Sequence, residues 1–357
     1  MRFQIGKRWL GPHEPTYFIA DIAANHDGDL RRAKKLIELA KEAGADAAKF
    51  QNFQAPKIVS KRGFEALKQK LSHQAKWKKS VYEVYQDAEI KKDWTPLLKA
   101  HCDKVGIEYF TSPYDAESVD LVDPYVRAYK IGSGDITFPE MLRYIAGKKK
   151  PVFLATGAST LADVMAAAET LRAAAGPKGP LCLMQCNTNY TGSLENFKHI
   201  HLNVLKTFAF LFPNDLLGLS DHTPGHATTL GAVALGARAV EKHFTDDNGR
   251  AGPDHPFSMN PKSWREMVDR TRELESALGS TEKKVVDNEV QSAIVQRRSL
   301  YFRLPIKKGQ PITAEHLEAL RPAPKNAVLP TQLPDTIGLR APKDYRAGDG
   351  LRWTDWS

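Results

Sequence analysis

Short apolar stretches alternate along the chain with longer amphipathic stretches that have the period of a helix. Eight apolar stretches of strand length follow one another, at residues 17–23, 46–51, 107–112, 126–132, 151–156, 181–186, 216–221 and 238–244. Eight strands that alternate with helices are the number that closes a parallel β/α barrel. The pattern therefore predicts an α/β fold, a (β/α)8 TIM barrel, in the first 280 residues.

The segment after the first predicted strand shows the helical pattern. Asp29 can cap a helix in which Leu30, Ala33 and Ile37 share one face, and Gly44 stands where such a helix ends. We expect this helix to pack on the barrel through its apolar face.

The pattern changes near residue 280. Residues 281–296 form a polar connector, and residues 297–357 contain brief apolar runs, frequent glycine and proline, and no long helical stretch. We therefore expect a catalytic barrel at 1–280, a linker at 281–296 and a compact β-rich domain at 297–357. A domain of about 60 residues buries only a marginal core, so we expect it to dock on another surface.

The composition is that of a globular protein, with 42% hydrophobic and 26% charged residues among 357. The N-terminus lacks the apolar core of a secretory signal, and no apolar run approaches the ~20 residues that span a bilayer. The three cysteines form no CxxC pair, which indicates reduced thiols. We expect a cytoplasmic protein without a membrane partner.

The formal net charge of +9 is compatible with a nucleic-acid partner or with an anionic small substrate. The densest basic stretch covers residues 57–79 and contains Lys57, Lys61, Arg62, Lys68, Lys70, Lys76, Lys78 and Lys79. It carries none of the motifs of nucleic-acid-binding domains. We interpret it as a solvated helix face or a lid, and we expect no nucleic-acid partner.

Nearly every predicted strand ends in polar or ionisable residues although its interior is apolar. These residues are Asp21, Asn25, His26, Lys49, Gln51, Ser112, Lys130, Ser133, Thr156, Asn187, Ser220, Asp221, His222, Glu241 and His243. Turn propensity accounts for the Asn, Ser and Asp residues but not for Lys49, Lys130 and Glu241, because Lys and Glu prefer helices and solvent. Since the C-terminal strand ends of a β/α barrel form its active-site rim, the pattern predicts an active site there.

His222 and His243 end the seventh and eighth predicted strands, which are neighbours in a closed barrel. Two imidazoles suit a divalent metal and leave coordination positions open for water and substrate. Rim histidines that bind no metal explain the two positions equally well, so both interpretations stay open at this point.

Lys49 and Lys130 end the second and fourth predicted strands, and Ser112, Ser133 and Ser220 lie at comparable positions. Two ammonium groups together with neutral hydroxyl donors form a pocket for a phosphate or a carboxylate. The pattern therefore predicts a site for an anion.

Several long motifs occur in the order in which one known family has them. They are FIADIAANHDGDLRRAKKLIELAKEAGADAAKFQ, YKIGSGD, LATGAST, GLSDHT, EKHFTDDNGRAGPDHPFSMNP and RRSLYFRLPIKKGQPIT. In these motifs the chain resembles the sialic acid (N-acetylneuraminate) synthase family over most of its length. The resemblance implies a TIM barrel followed by an antifreeze-like (SAF) domain, and a domain-swapped homodimer in which that domain covers the partner's barrel.

The resemblance also implies a phosphoenolpyruvate-dependent transferase. Enzymes of the family condense phosphoenolpyruvate with an open-chain N-acylated hexose, such as N-acetylmannosamine, to a nine-carbon 2-keto-3-deoxy acid and phosphate. By the same resemblance His222 and His243 would bind a divalent metal, Mn²⁺ or Mg²⁺, that polarises the sugar aldehyde.

The motifs further imply roles for individual residues. The residues expected to bind phosphoenolpyruvate are Lys49, Ser112, Lys130, Ser133, Asn187 and Ser220. Those expected to bind the sugar are Gln51, Tyr190, Asp254 and Arg321. Asp21 and Glu241 are the carboxylates expected to manage water and protons.

The sequence departs from the family at positions near the expected sugar site. Asp21 and Asp135 replace glutamates, Ala155 replaces a serine, Ala323 replaces a glycine, and the sixth strand reads QCNTNYTG at its end. These changes predict an acceptor other than N-acetylmannosamine, for example a 2,4-diacetamido-trideoxy hexose. Alternatively, Asp21 reaches the same hydroxyl through a water and specificity is unchanged.

Two other functions are compatible with such a barrel. One is a synthase that makes 3-deoxy-octulosonate or 3-deoxy-heptulosonate phosphates from phosphorylated aldoses, and the terminal domain with the NHDG and SDHT motifs argues against it. The other is a non-catalytic carbohydrate-binding barrel. The presence of both lysines and both histidines argues against that function.

Overall fold

The computed structural model of the protein describes residues 1–69, 71, 74–75, 77–176 and 179–356. The chain divides into two compact units, Met1–Gly279 and Ser280–Ser357. Lys70 and Lys76 of the basic stretch lie outside the described residues. None of the described helices is both long and apolar enough to cross a membrane.

The first unit contains an eight-stranded parallel sheet that curls into a barrel. After a short hairpin of β1 (Phe3–Ile5) and β2 (Arg8–Leu10), its strands are β3 (Tyr17–Asp21), β4 (Ala47–Asn52), β5 (Glu108–Pro113), β6 (Tyr129–Ile131), β7 (Val152–Ala155), β8 (Leu181–Cys186), β9 (Leu216–Asp221) and β10 (Ala237–His243). They pair in the order β5-β4-β3-β10-β9-β8-β7-β6, and β5 lies beside β6. The predicted strands and the predicted β/α barrel are confirmed.

The helices of the first unit follow the strands in turn. They are α1 (Leu30–Glu42), α2 (Ala55–Ile58), α3 (Lys61–Ala66), α4 (Val81–Asp87), α5 (Trp94–Val105), α6 (Ala116–Val122), α7 (Pro139–Gly147), α8 (Leu161–Ala175), α9 (Val204–Leu211), α10 (Ala227–Ala234) and α11 (Pro261–Leu278). The connection from β4 to β5 contains α2 to α5, so it adds helices beside the C-terminal end of β4. Within the basic stretch, α3 buries none of its side chains.

Helix α1 forms as its sequence predicts. The Asp29 side chain accepts a hydrogen bond from the Arg31 N–H, and Ala33 and Ile37 are buried against the barrel. Gly44 follows the helix with a φ of +95°, which a residue with a Cβ adopts only with strain. The cap and the glycine therefore set the two ends of the helix.

The N-terminal end of the barrel is filled by apolar side chains. Ile19, Phe110 and Phe153 point inward there and pack with residues of the β1–β2 hairpin. The Phe153 ring lies 5.3 Å from that of Phe110 and 6.1 Å from that of Phe3. The hairpin, which the sequence pattern did not predict, thus closes this end, and the opposite end remains the open mouth.

The interior changes from apolar to polar toward the mouth. Because side chains alternate between the two faces of a strand, the next inward position lies two residues further along. The apolar inward residues Ile19, Ala47, Phe110, Ala128 and Ala239 are followed in this way by Asp21, Lys49, Ser112, Lys130 and Glu241. The strand period therefore collects the predicted polar residues in one layer.

The second unit is built from short elements around its own core. These are α12 (Val290–Gln296), β11 (Ser299–Phe302), β12 (Leu317–Leu320) and α13 (Leu333–Thr336), and β11 pairs antiparallel with β12. Its core includes Leu300, Phe302 and Tyr345, and the rings of Phe302 and Tyr345 stack 4.2 Å apart. Helix α12 lies in the segment that the sequence pattern marks as a connector.

We predict that Phe153→Ala lowers the free energy of unfolding by about 3–5 kcal/mol, because it removes a ring from the closed apolar layer. Urea denaturation followed by circular dichroism measures this change. Phe210→Ala serves as the control, since Phe210 is 83% exposed and its loss should change stability by no more than about 0.5 kcal/mol. Equal effects of the two substitutions would contradict the role of the layer.

Candidate active site

Asp21 and Lys49 form an ion pair at the C-terminal ends of β3 and β4. The two residues face each other in the strand register, both are 2% exposed, and Lys49 Nζ donates to Asp21 Oδ2. Gln51, the next inward residue of β4, donates to the same oxygen over 3.3 Å. Three of the predicted residues thus meet at one carboxylate.

Glu241 of β10 continues this network on the other side of Lys49. Its Oε1 lies 3.9 Å from Lys49 Nζ and 3.2 Å from Lys130 Nζ, and it accepts a hydrogen bond of 3.2 Å from Ser220 Oγ. Its Oε2 is buried and accepts no hydrogen bond from the described residues. Positive and negative groups alternate from Asp21 to Lys130, so each buried charge has a neighbour of opposite sign.

The network determines the charge states of its members. Burial acts to raise the pKa of Glu241, but Lys130 and Lys49 outweigh burial and lower the pKa to about 2. Burial acts to lower the pKa of Lys49, but the carboxylates of Asp21 and Glu241 outweigh burial and raise it. At neutral pH this arrangement favours an ionised Glu241 and a protonated Lys49.

His222 and His243 lie side by side above this network. Their ring centroids are 5.3 Å apart, and His222 Nδ1 lies 2.9 Å from the main-chain oxygen of Asn187. Because a carbonyl oxygen only accepts, His222 carries its hydrogen on Nδ1 and keeps the lone pair on Nε2. Burial and the neighbouring His243 lower the pKa of His222 to about 3, so its ring is neutral.

These imidazoles fit the requirements of a divalent cation site. A neutral ring with a fixed tautomer is ready to act as a ligand, and a second ring lies within reach of the same ion. Among the described residues no group of three or more His, Cys, Asp and Glu side chains forms a complete metal cluster. A bound cation would therefore take its remaining ligands from water and substrate.

Asp254 reaches the mouth from the loop that follows β10. Its Oδ2 accepts a hydrogen bond of 3.2 Å from the Ala24 N–H and lies 3.8 Å from His243 Nδ1. Burial, together with the nearby Asp21, raises the pKa of Asp254 to about 7. The loop thus brings one more carboxyl group to the two imidazoles.

A polar network behind the mouth holds this loop in place. Arg32 of α1 donates to both carboxylate oxygens of Asp246, over 3.0 and 2.6 Å, and to the main-chain oxygen of Asn25 over 2.7 Å. The buried His255 lies 3.0 Å from Asp27 Oδ1. Both ends of the loop are therefore tied to the segment after β3.

The remaining predicted residues occupy different settings. Ser112 is buried at the inward end of β5, and Ser133 Oγ accepts a hydrogen bond of 3.0 Å from the Gly157 N–H. The Asn187 side chain is hydrogen-bonded within its own loop, since its amide donates to the His199 oxygen and accepts from the Asn189 N–H. Tyr190 packs its ring 4.1 Å from that of His222.

Arg321 lies in the second unit. Its Nε donates to the main-chain oxygen of Gln296 over 2.6 Å.

An aromatic pocket adjoins Gln51, His243 and Asp254. The sequence pattern did not predict the aromatic residues that form its walls. It is a cavity of about 150 Å³ whose wall includes Phe53, with the Tyr85 and Tyr114 rings 5.5 and 5.8 Å from the Phe53 ring. Its lining among the described residues includes no Lys or Arg. These aromatic residues come from the connection between β4 and β5 and from the end of β5, where irregular spacing gave no signal beyond that of an ordinary core.

Comparisons with known proteins agree with this arrangement. The model of the NeuB family matches residues 36–283, and the model of the SAF domain matches residues 297–355. The chain is 36% identical to an N,N'-diacetyllegionaminic acid synthase of Legionella pneumophila, over 96% of this chain and 95% of that protein. It is 33% identical to a pseudaminic acid synthase of Campylobacter jejuni, over 99% of both chains.

A solved structure is similar as well. The N-acetylneuraminic acid synthetase of Leptospira borgpetersenii superposes with a TM-score of 0.72 at 26% identity, over 82% of this chain and 95% of that one. The predicted sialic acid synthase resemblance, the terminal SAF domain and the class of enzyme, a nonulosonic acid synthase, are confirmed. With its barrel and its SAF domain, the chain belongs to the NeuB family.

Proposed function

We propose that the chain condenses phosphoenolpyruvate with a neutral, open-chain N-acylated hexose and releases a nine-carbon 2-keto-3-deoxy acid and phosphate. The observation that carries this proposal is the buried layer in which two ammonium groups and two imidazoles meet at the mouth of the barrel. Cytoplasm is the expected location, since Cys102, Cys182 and Cys186 are free thiols.

Phosphoenolpyruvate is expected to bind at the charged side of the mouth. Lys49 and Lys130 supply two positive charges, and Ser112, Ser133 and Ser220 are the predicted neutral partners. Asn187, the fourth predicted partner, would first have to release the hydrogen bonds of its amide within its loop. In the free protein the two lysines contact Asp21 and Glu241. The phosphate and carboxylate of the substrate would therefore compete with these carboxylates for the ammonium groups.

The acceptor aldehyde is expected to lie against the imidazoles. A Mn²⁺ or Mg²⁺ ion held by His222 and His243 would polarise its carbonyl group. Because His222 Nδ1 donates its hydrogen to the Asn187 oxygen, His222 Nε2 keeps its lone pair and is available as a ligand.

Two carboxylates are placed for proton transfer. A bond forms between C3 of phosphoenolpyruvate and the aldehyde carbon, water adds to C2, and the bond from C2 to the phosphate oxygen breaks. Glu241 lies between Lys130 and Ser220, on the anion side, where it would take a proton from the water. Asp21 lies 3.7 Å from His243 Nε2, on the acceptor side, and accepts a hydrogen bond from Lys49 Nζ. It would relay the Lys49 proton to the alkoxide oxygen that becomes the new hydroxyl, and Glu241, 3.9 Å from Lys49 Nζ, would return the water proton to Lys49. The second proton of the water would leave with the phosphate as C2 becomes the keto group.

The aromatic pocket favours an acceptor with apolar substituents and no phosphate. Its walls carry Phe53, Tyr85 and Tyr114, and no cation lines it among the described residues. Aromatic walls suit the methyl groups of acylamino and deoxy positions. With Gln51, Tyr190 and Asp254 at its inner side, the pocket supports a 2,4-diacetamido-trideoxy hexose, and relatives named for diacetyllegionaminic and pseudaminic acid are consistent with it.

A test of the function uses phosphoenolpyruvate, Mn²⁺ and a panel of 2-acetamido, 2,4-diacetamido and unsubstituted hexoses. We expect phosphate release and a product of the summed mass only with N-acylated hexoses, with the highest kcat/KM for a 2,4-diacetamido sugar. Chelation of the metal should abolish turnover.

The outcomes of the panel test the reaction and the identity of the acceptor separately. Absence of phosphate release with every N-acylated hexose would contradict the proposed reaction. If N-acetylmannosamine has the highest kcat/KM and Asp21→Glu leaves the ranking unchanged, the reaction stands and the altered acceptor is wrong.

Arg32→Met is predicted to raise the KM for the acceptor about tenfold, because the loop that carries Asp254 loses its anchor. The KM for phosphoenolpyruvate should stay unchanged, since Lys49 and Lys130 belong to strands. Amide hydrogen exchange of residues 246–258 should become faster. Arg31→Met is the matched control, because its side chain is 93% exposed. An equal rise of both KM values in Arg32→Met would contradict the prediction.

The family resemblance leads us to expect a domain-swapped homodimer in which Arg321 contacts the partner's sugar site. Mixing Arg321→Ala chains with His243→Ala chains should then restore about a quarter of the wild-type activity, because half of the randomly exchanged dimers are mixed and each has one complete site. Activity is measured after subunit exchange has been verified with tagged chains. Exchange without any recovery would exclude this arrangement.

A further inference from the structure

A buried ion pair lies outside the mouth, directly behind the two imidazoles. Counted over the whole residue, six Asp, Glu, Lys and Arg residues of the described chain are at most 5% exposed, and four of them form the network from Asp21 to Lys130. The other two are Asp221, at the end of β9, and Lys242, in β10. They point to the opposite face of the strands, toward α10.

Stability alone does not account for this pair. Two buried charges lose their hydration, and well-packed apolar side chains of similar volume often stabilise a protein as much or more. The neighbouring positions on the same face, Leu219 and Val240, are indeed apolar. A charged pair at this place therefore indicates a requirement other than stability.

The contacts of the pair converge on the main chain around His222. Asp221 Oδ1 accepts a hydrogen bond of 3.1 Å from the Thr223 N–H, and Lys242 Nζ donates over 2.6 Å to the Thr223 carbonyl oxygen. Lys242 Nζ also donates to Asp221 Oδ2 over 2.5 Å. His222 lies between Asp221 and Thr223 in the chain, so its backbone is held on both sides.

The same pair is linked to His243 and to α10. Lys242 precedes His243 and is the register partner of Asp221 in the ladder between β10 and β9. Thr228 of α10 donates its hydroxyl to Asp221 Oδ2 over 2.6 Å. The ion pair thus joins the main chain next to one imidazole with the main chain next to the other.

We propose that Asp221 and Lys242 are positioning residues that set the separation of His222 and His243, so that both imidazoles reach one divalent cation. The proposal rests on the metal role in the proposed function. Hydrogen bonds are directional and fix the peptide after His222, whereas apolar contacts of the same volume would hold it only loosely.

The test replaces the pair by apolar residues of similar size, in the double variant Asp221→Leu/Lys242→Met. We expect this variant to unfold at an unchanged or higher urea concentration, because no uncompensated charge is left. Its affinity for Mn²⁺, measured by electron paramagnetic resonance without substrates, should fall about 10- to 100-fold. A purely structural role would leave that affinity unchanged.

A matched control removes an ion pair from the other end of the same strand. Asp215 immediately precedes β9, and its buried carboxylate contacts Arg172 of α8. Arg172→Met/Asp215→Leu should leave Mn²⁺ affinity unchanged. Thr228→Val keeps both charges of the pair and removes one hydrogen bond of Asp221. It should also weaken Mn²⁺ binding, and it supplies the test if the first double variant does not fold.

The results distinguish this inference from the proposed function. A folded Asp221→Leu/Lys242→Met protein with wild-type Mn²⁺ affinity, or a Thr228→Val protein with unchanged affinity, would overturn the positioning role while the metal role stands. A wild-type protein that binds no Mn²⁺ would overturn both. Loss of affinity in these variants together with an unchanged Arg172→Met/Asp215→Leu control would support the proposal.

Discussion

The contact between Asp21 and Lys49 begins a chain of alternating charges on which the mouth of the barrel depends. Lys49 lies between Asp21 and Glu241, and Glu241 lies between Lys49 and Lys130. Because the β1–β2 hairpin closes the opposite end, these charges interact in a medium of low dielectric constant. Removing one of them would leave a buried neighbour uncompensated, at a cost of about 3–5 kcal/mol. The four side chains therefore hold one another and the strands that carry them.

The barrel could be predicted because its strands have a strong local signal. Each is an apolar run with a polar end and a helical stretch behind it, and the cap and terminal glycine of α1 are visible in the sequence. The β1–β2 hairpin was missed because strands of three residues are too short to show a period of two. Helix α12 was missed for a related reason, since its side chains are largely exposed and show no buried face. Neither element therefore carries a periodic apolar signal.

The site was predictable where strand geometry alone determines it. The period of two places Lys49, Lys130 and Glu241 in one layer, and closure of the barrel places His222 beside His243. Hydrogen bonds within loops carry no such regularity. The sequence therefore could not indicate that the Asn187 amide is used inside its own loop and that its carbonyl oxygen orients His222. The aromatic wall was hidden for the same reason, because its residues come from connections of irregular length.

The mouth thus has a deeper part built from strand residues and an outer part built from the connections between strands and helices. Lys49, Lys130 and Ser220 lie within strands, so barrel geometry fixes the charges that an anionic substrate would meet. The aromatic pocket and Asp254 lie on connections beyond the strand ends, where length and sequence can change without disturbing the ladder. His243 stands at the boundary, 3.7 Å from Asp21 and 3.8 Å from Asp254. In the proposed function, the chemistry at the anion would therefore be tied to the fold itself, whereas loops would determine the choice of acceptor. Sequence pattern accordingly predicts the strand residues much better than the loop residues.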